Sequence, residues 1–127
     1  MTAKTVSIST FPPLKLVVDR LARSTDAEMI ILFGSRARGD AGAESDWDIC
    51  VLLPDTIKPG QFTSVNLWPL VSGLGIAVQI YPIRQSVFLQ KRNAINSVSH
   101  DIDRDGIILY QKPGSLNLDS QRSRALA

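Results

Sequence analysis

Two aspartates with one residue between them are the residues of this 127-residue sequence best placed to do chemistry. Asp46 and Asp48 begin an apolar segment that predicts a β-strand over residues 46–53. Alternate residues of a strand face the same side, roughly 7 Å apart along the chain. Two carboxylates on one face repel each other unless a cation neutralises them, and their hard oxygen atoms suit Mg²⁺. Taken alone, the pair is equally well explained as a turn at the entry to a strand.

A Gly-Ser pair and two arginines precede the aspartates. Gly34 allows a ligand to approach the backbone closely, and Ser35 begins a predicted short helix over residues 35–39, where free N–H groups attract phosphate. Arg36 and Arg38 supply cations that suit phosphate oxygens. A simple turn with solvated arginines explains these residues when they are considered alone. Together with the aspartates they indicate a site for a nucleoside triphosphate with Mg²⁺.

The pattern around these residues predicts how they come together. Residues 29–33 form a continuous apolar run that favours a strand buried on both faces. The polar loop over residues 39–45 is too short to contain a crossover helix, so the strands before and after it are predicted to be antiparallel neighbours. The Gly-Ser turn and the aspartate pair would then lie at one edge of the sheet. No P-loop pattern is present, which excludes that class of nucleotide-binding site.

The other predicted elements complete a layered domain. Their order is α-β-(α)-β-α-β-α-β, which predicts an α/β (α+β) fold with a mixed sheet of about four strands flanked by helices. Phe88, Ile95 and Ile102 recur every seven residues and favour one long helix. Helices are predicted over 12–23, 61–72 and 86–103, and the third and fourth strands over 76–81 and 107–110.

Composition limits the class of protein. Hydrophobic residues make up 44% of the chain and the net charge is +2, so we expect a globular domain without general nucleic-acid binding. The single cysteine, Cys50, excludes an internal disulfide. No apolar run approaches the roughly 18 residues of a membrane helix, and no signal-peptide pattern is present, so a cytoplasmic protein is expected. We predict a domain over residues 1–112, with a frayed leader over 1–9, and a disordered tail over 113–127.

The sequence Gly-Ser-Arg-Ala-Arg-Gly, with ten residues between the Gly34-Ser35 pair and Asp46-x-Asp48, resembles the minimal nucleotidyltransferases of the DNA polymerase β-like superfamily. The resemblance extends over roughly residues 12–112. It implies transfer of a nucleoside monophosphate, usually AMP from ATP, to an acceptor hydroxyl on a protein or a small molecule. It also implies that Gly34 and Ser35 bind the triphosphate, and that Asp46 and Asp48 bind Mg²⁺ and act in catalysis.

The third carboxylate of that superfamily is where this sequence departs from the pattern. The matching position on the third predicted strand is Gln79, and alternation places Gln79 on the same face as Ala77 and Tyr81. A neutral amide can donate to an oxygen atom but cannot act as a general base. Chemistry would then rely on one well-held metal ion, or on an acid from elsewhere such as Asp101 or Asp103.

Two functions from different classes are therefore predicted. The first is a Mg²⁺-dependent nucleotidyltransferase. The second is a catalytically weak, antitoxin-type protein that binds nucleotide or a partner. The resemblance implies that the partner is a small helical protein of the HEPN type in a toxin–antitoxin pair, and a homodimer is the other source of an acceptor site.

Overall fold

The computed structural model describes residues 11–114, in which five helices and four strands follow one another along the chain. The predicted leader over residues 1–9, and the predicted tail apart from residues 113 and 114, lie outside this range. Within it, no helix has the length and apolar character needed to cross a membrane. The elements are α1 Pro12–Ser24, β1 Met29–Phe33, α2 Ser35–Arg38, β2 Trp47–Leu53, α3 Ser64–Val71, β3 Val78–Arg84, α4 Gln85–Lys91, α5 Val98–Asp105 and β4 Ile107–Gln111.

The four strands form one mixed sheet in the order β3-β2-β1-β4. Strand β1 is antiparallel to both of its neighbours, whereas β2 and β3 are parallel. The predicted four-stranded mixed sheet with flanking helices is thus confirmed, as is the antiparallel pairing of the first two strands. The register pairs Phe33 with Asp48 and Asp48 with Gln79. It therefore brings the end of β1, the start of β2 and the start of β3 to one edge of the sheet.

Helices cover both faces of the sheet, which explains the continuous apolar run of β1. Ile30 and Leu32 belong to the core beneath α1 and α3, whereas Met29, Ile31 and Phe33 belong to the core beneath α4 and α5. All five side chains are buried. A strand enclosed on both faces has no polar side, so its sequence shows a run and not an alternation.

The single long helix predicted over residues 86–103 is wrong, because the chain forms α4 and α5 with a break between them. Asn96 in the break has a positive φ (73°), which a continuous right-handed helix does not contain. The Ser97 side chain then caps α5 by accepting from the His100 N–H at 3.0 Å. Ile95 is 77% exposed, so the seven-residue apolar spacing did not reflect one buried helix face.

Two further boundaries differ from the prediction. Strand β3 begins at Val78 and continues beyond residue 81 through Pro82, which an edge strand tolerates because one side of its backbone needs no ladder partner. The helix predicted over residues 61–72 begins only at Ser64. Thr63 and Asn66 form a capping box there, in which the Thr63 N–H donates to Asn66 Oδ1 at 2.7 Å and the Asn66 N–H donates to Thr63 Oγ1 at 3.1 Å.

Candidate active site

The turn after β1 lies directly against the carboxylate of Asp48. Gly34 has φ 74° and ψ −157°, a region that is essentially restricted to glycine. A Cβ atom at Gly34 would collide with Asp48 Oδ2 and would lie 3.3 Å from Asp48 Cγ. No side chain separates the backbone of the turn from the carboxylate. Because Gly34 has no side chain, the Asp48 carboxylate can lie directly against the backbone of the turn.

Ser35 begins α2, which is a single turn of helix. The N–H groups of Ala37 and Arg38 both donate to the Gly34 carbonyl at 3.0 Å, and Gly39 ends the turn with φ 88°. A helix of four residues has only a small dipole. Any affinity for phosphate at this turn must therefore come mainly from its N–H groups, the Ser35 hydroxyl and nearby cations.

The two aspartates differ in exposure. Asp46 is exposed and lies one residue before β2, whereas Asp48 is the second residue of β2 and is partly buried. The pKa of Asp48 is raised above its usual value, first by burial and then by the negative charge of Asp46, while the Arg38 cation opposes the rise. Two carboxylates whose negative charges disfavour each other in this way attract a cation.

The donor set suits Mg²⁺ with a nucleotide. Over the described range 11–114, no group of three or more acidic, histidine or cysteine residues could hold a metal ion. Asp46 and Asp48 are the protein ligands that the sequence predicts. Mg²⁺ commonly takes one or two carboxylates and completes its shell with water and substrate phosphates. These residues fit that mode of binding, although Mg²⁺ itself stays a prediction.

Gln79 is the neighbour of Asp48 on the adjacent parallel strand. Tyr81, two residues further along β3, packs with the core beneath α4 and α5 that includes Cys50, and side chains two residues apart share a face. Gln79 and Asp48 therefore face the same side of the sheet. Burial and then the charges of Asp48 and Asp46 raise the pKa of the Tyr81 hydroxyl. Gln79 is exposed and lines a groove of about 410 Å³ beside Trp68 of α3.

The two arginines of the turn have different surroundings. The Arg36 guanidinium donates to the carbonyls of Ser45 and Ala43, and its central carbon lies 4.7 Å from the centre of the Trp47 ring. Arg38 instead donates from Nε to Asp40 at 3.1 Å and from Nη1 to Asp105 at 3.0 Å. Of these two, Arg38 is the arginine whose charge acts on Asp48.

Asp105 is a buried residue of this region that the sequence analysis did not identify. Its side chain is 6% exposed, and it accepts from Arg38 and from Nε and Nη2 of Arg104, all at 3.0 Å. Its pKa is lowered, mainly by Arg104 and then by Arg38. A signal was present in the sequence, since an acid in the last turn of a helix opposes the helix dipole unless a cation compensates it.

The predicted substitutes for the third carboxylate are engaged elsewhere. Asp103 accepts from Nε and Nη2 of Arg92 at 3.2 and 2.8 Å. Asp101 lies 3.5 Å from Arg104 across one turn of α5. Neither acid is paired in register with Asp48, whereas Gln79 is.

Comparison with known protein families agrees with this geometry. A family model described as "Polymerase beta, Nucleotidyltransferase" matches residues 16–114. Protein adenylyltransferase MntA from Aphanizomenon flos-aquae (strain 2012/KM1/D3) is 34% identical over 103 residues, which cover 78% of this chain and 66% of that protein. The chain thus spans just under two thirds of that relative's length.

Solved structures share the fold at lower identity. A candidate nucleotidyltransferase from Sulfolobus solfataricus superposes with a TM-score of 0.53 at 20% identity, covering 93% of this chain and 99% of that one. A chain of a toxin–antitoxin structure with AMP-PNP gives a TM-score of 0.58 at 23% identity, covering 85% and 77% of the two chains. At these identities the likeness shows a common fold.

Proposed function

Since this chain belongs to the polymerase β nucleotidyltransferase family, as a minimal nucleotidyltransferase, we propose that it transfers AMP from ATP, with Mg²⁺, to a hydroxyl group on a protein or a small molecule. The observation that carries the proposal is the contact between the Gly34 turn and the Asp48 carboxylate, where a Cβ atom would not fit. A turn for phosphates and a ligand for their metal ion are therefore adjacent. The adenylyltransferase name of the relative supports AMP as the transferred group.

In the proposed reaction the residues of the chain bind and orient the substrates, and the acceptor oxygen of the substrate forms the new bond to phosphorus. The Gly34 backbone and the Ser35 hydroxyl hold the terminal phosphates, Arg38 offsets part of their charge, and Asp46 and Asp48 hold the metal. When bound, Mg²⁺ supplies stabilisation of the charge that develops on the transferring phosphate and the departing pyrophosphate. The acceptor oxygen bonds to the α-phosphorus as the bond to the bridging oxygen breaks. Gln79 can orient the acceptor hydroxyl but cannot take its proton, which passes to solvent.

A labelling experiment tests this function. The purified chain is incubated with Mg²⁺-ATP, or with each other nucleoside triphosphate, and a host lysate, and mass spectrometry identifies nucleotidylated products. We expect a product carrying AMP that is absent with Asp46→Asn and with Asp48→Asn. A wild-type chain that binds neither Mg²⁺ nor nucleotide in a calorimetric titration would overturn the proposal.

A second candidate function is that of an antitoxin-type protein that binds nucleotide and a HEPN-like helical partner without turnover. The observation that favours it is Gln79 in register with Asp48, where a third acid would complete the site. The toxin–antitoxin structure among the structural neighbours supports a toxin as partner, and its HEPN-like character is what the family resemblance implies. This function predicts nucleotide or partner binding by the wild type without release of pyrophosphate.

Restoring the third acid discriminates between the two functions. Gln79→Asp places a carboxylate beside Asp48, and Gln79→Asn, which has the same side-chain length but a neutral amide, is the matched control. If the wild type is a binding protein, Gln79→Asp should create pyrophosphate release that the wild type lacks. If the wild type already turns over, the substitution should raise an existing rate, and pyrophosphate release by the unmodified chain identifies the enzyme.

A further inference from the structure

Arg36 contacts the residues on both sides of Asp46 in the sequence. Its Nε and Nη2 atoms donate to the Ser45 carbonyl at 3.3 and 2.9 Å, and its guanidinium lies over the Trp47 ring. We propose that Arg36 is a positioning residue that fixes Asp46 for Mg²⁺ and does not bind phosphate itself. The proposal rests on the function proposed above, because it concerns the same metal site.

Arg36 lies on the face of the sheet opposite to the Asp48 side chain, beside which the phosphates would bind. Trp47 packs with the core beneath α1 and α3, whereas Asp48 shares its face of β2 with Cys50, which belongs to the core on the opposite side. Because Arg36 stacks on Trp47, its guanidinium lies on the face that Asp48 turns away from. The Arg38 charge, by contrast, opposes the rise in the pKa of Asp48.

Asp46 follows an irregular loop, so its position depends on contacts such as those of Arg36. Residues 39–45 contain two glycines and lie outside the helices and strands. Within the loop, the Ser45 N–H donates to the Gly42 carbonyl at 3.2 Å and the Gly42 N–H donates to Ser45 Oγ at 3.0 Å. These short-range bonds close residues 42–45 on themselves, while the Asp40 N–H donates to the Ser35 carbonyl and ties the start of the loop to α2. Arg36 makes the corresponding attachment at the end of the loop, because it joins the Ala43 and Ser45 carbonyls to α2 and to Trp47.

The contacts require the shape of an arginine side chain. The planar guanidinium directs two N–H groups at the Ser45 carbonyl and one at the Ala43 carbonyl while its central carbon lies over the Trp47 ring. A lysine ammonium keeps the charge but cannot form the fork and the stack together. The Trp47 ring is itself held by stacking on Phe11 at a centroid distance of 5.1 Å. These contacts therefore extend from Phe11, the residue before α1, to the residue beside Asp46.

The experiment compares two binding measurements on the full chain. Binding of a non-hydrolysable ATP analogue is measured by calorimetry in EDTA, and the Mg²⁺ concentration for half-maximal binding is measured at fixed analogue. Arg36→Lys should raise that Mg²⁺ concentration about tenfold or more, as substitutions behind metal ligands do. Binding in EDTA should stay within about twofold of the wild type, because a ligand's orientation matters only when the metal is present.

Arg92→Lys is the matched control. Arg92 also donates to oxygen atoms and lies against an aromatic ring, since it pairs with Asp103 and its guanidinium carbon is 5.5 Å from the Phe88 ring centre. It should leave both binding measurements unchanged even if it lowers stability. Trp47→Leu removes the ring beneath Arg36 and should raise the Mg²⁺ requirement in the same direction, which keeps the test open if Arg36→Lys does not fold.

Three results would overturn the inference. Equal loss of binding with and without Mg²⁺ would make Arg36 a phosphate ligand. Wild-type behaviour of both Arg36→Lys and Trp47→Leu would exclude any role in the site. A wild-type chain with no Mg²⁺-dependent binding would remove the proposed function, and that result is distinguishable because it does not involve a variant.

Discussion

Replacing Gly34 with alanine should damage the site through Asp48 as well as through the backbone. The φ and ψ angles of Gly34, 74° and −157°, lie in a region where other residues are strained by about 1–3 kcal/mol. The added Cβ would also collide with Asp48 Oδ2. Displacing a packed group in this way costs a further amount of about 1–3 kcal/mol. The displaced carboxylate would then lose its place beside the turn, so Mg²⁺-nucleotide binding should be lost together with stability.

Gly39→Ala is the matched control, because Gly39 also has positive φ (88°) but no atom within 4 Å of an added Cβ. It should cost only the backbone strain, about 1–2 kcal/mol, and should spare Mg²⁺-nucleotide binding. Urea unfolding of both variants measures the difference in the free energy of unfolding. A double-mutant cycle isolates the collision, since Gly34→Ala should cost less when Asp48 is alanine.

The reasoning would be refuted by a specific pair of results. If Gly34→Ala lowers the free energy of unfolding no more than Gly39→Ala does, and the cycle with Asp48→Ala shows no coupling, the turn and the carboxylate do not contact each other. Normal binding of a Mg²⁺-nucleotide analogue by Gly34→Ala would lead to the same conclusion. Calorimetric titration of the folded variants provides that second measurement.

Three further predictions concern charged and buried groups. Without metal, Asp48→Asn should raise the free energy of unfolding at neutral pH. This gain in stability over the wild type should shrink as the pH falls through the raised pKa of Asp48, because the wild-type carboxyl becomes neutral there. Urea unfolding at several pH values measures the gain, and a gain that does not change with pH would contradict the prediction. Asp105→Asn should lower the free energy of unfolding by about 1–3 kcal/mol at neutral pH. Asp40→Asn should lower it by less, because Asp40 is exposed. The loss caused by Asp105→Asn should disappear in acid below the lowered pKa of Asp105, where the wild-type carboxyl is also neutral, and urea unfolding at several pH values measures it. Cys50 is fully buried and its pKa is raised by burial. A thiol-alkylating reagent should therefore modify it only after the chain unfolds, which mass spectrometry would show. Rapid modification of the folded chain would exclude this burial.

Local patterns were sufficient to predict the sheet and the pairing of the turn with the aspartates. The run of five apolar residues in β1 predicted burial on both faces because no other arrangement hides such a strand. The seven-residue loop before β2 is too short for a crossover, which made the antiparallel pairing of β1 and β2 a geometric requirement. That pairing aligns Phe33 with Asp48 and so brings Gly34 to the carboxylate.

Contacts between distant residues could not be predicted in this way. Arg38 and Asp105 are 67 residues apart, and no period or spacing links them. The break between α4 and α5 was missed for a different reason, because the apolar spacing of Phe88, Ile95 and Ile102 outweighed the local preference of Asn96 and Ser97 for turns and caps. Arg36 and Arg38 are two residues apart on a helix and so point in different directions, but the neighbours that each one meets depend on the tertiary structure.

The identity of residue 79 affects binding and turnover differently. Two carboxylates balance the charge of one divalent cation, so the proposed site at Asp46 and Asp48 should bind Mg²⁺ with nucleotide whether residue 79 is an amide or an acid. Removal of the acceptor proton by residue 79 does depend on its identity, since a glutamine side chain cannot accept a proton at neutral pH. Nucleotide affinity would therefore be similar for a slow enzyme and for a binding protein. Release of pyrophosphate, compared between the wild type and Gln79→Asp, is the measurement on which the two functions differ, because the register places that one side chain beside Asp48.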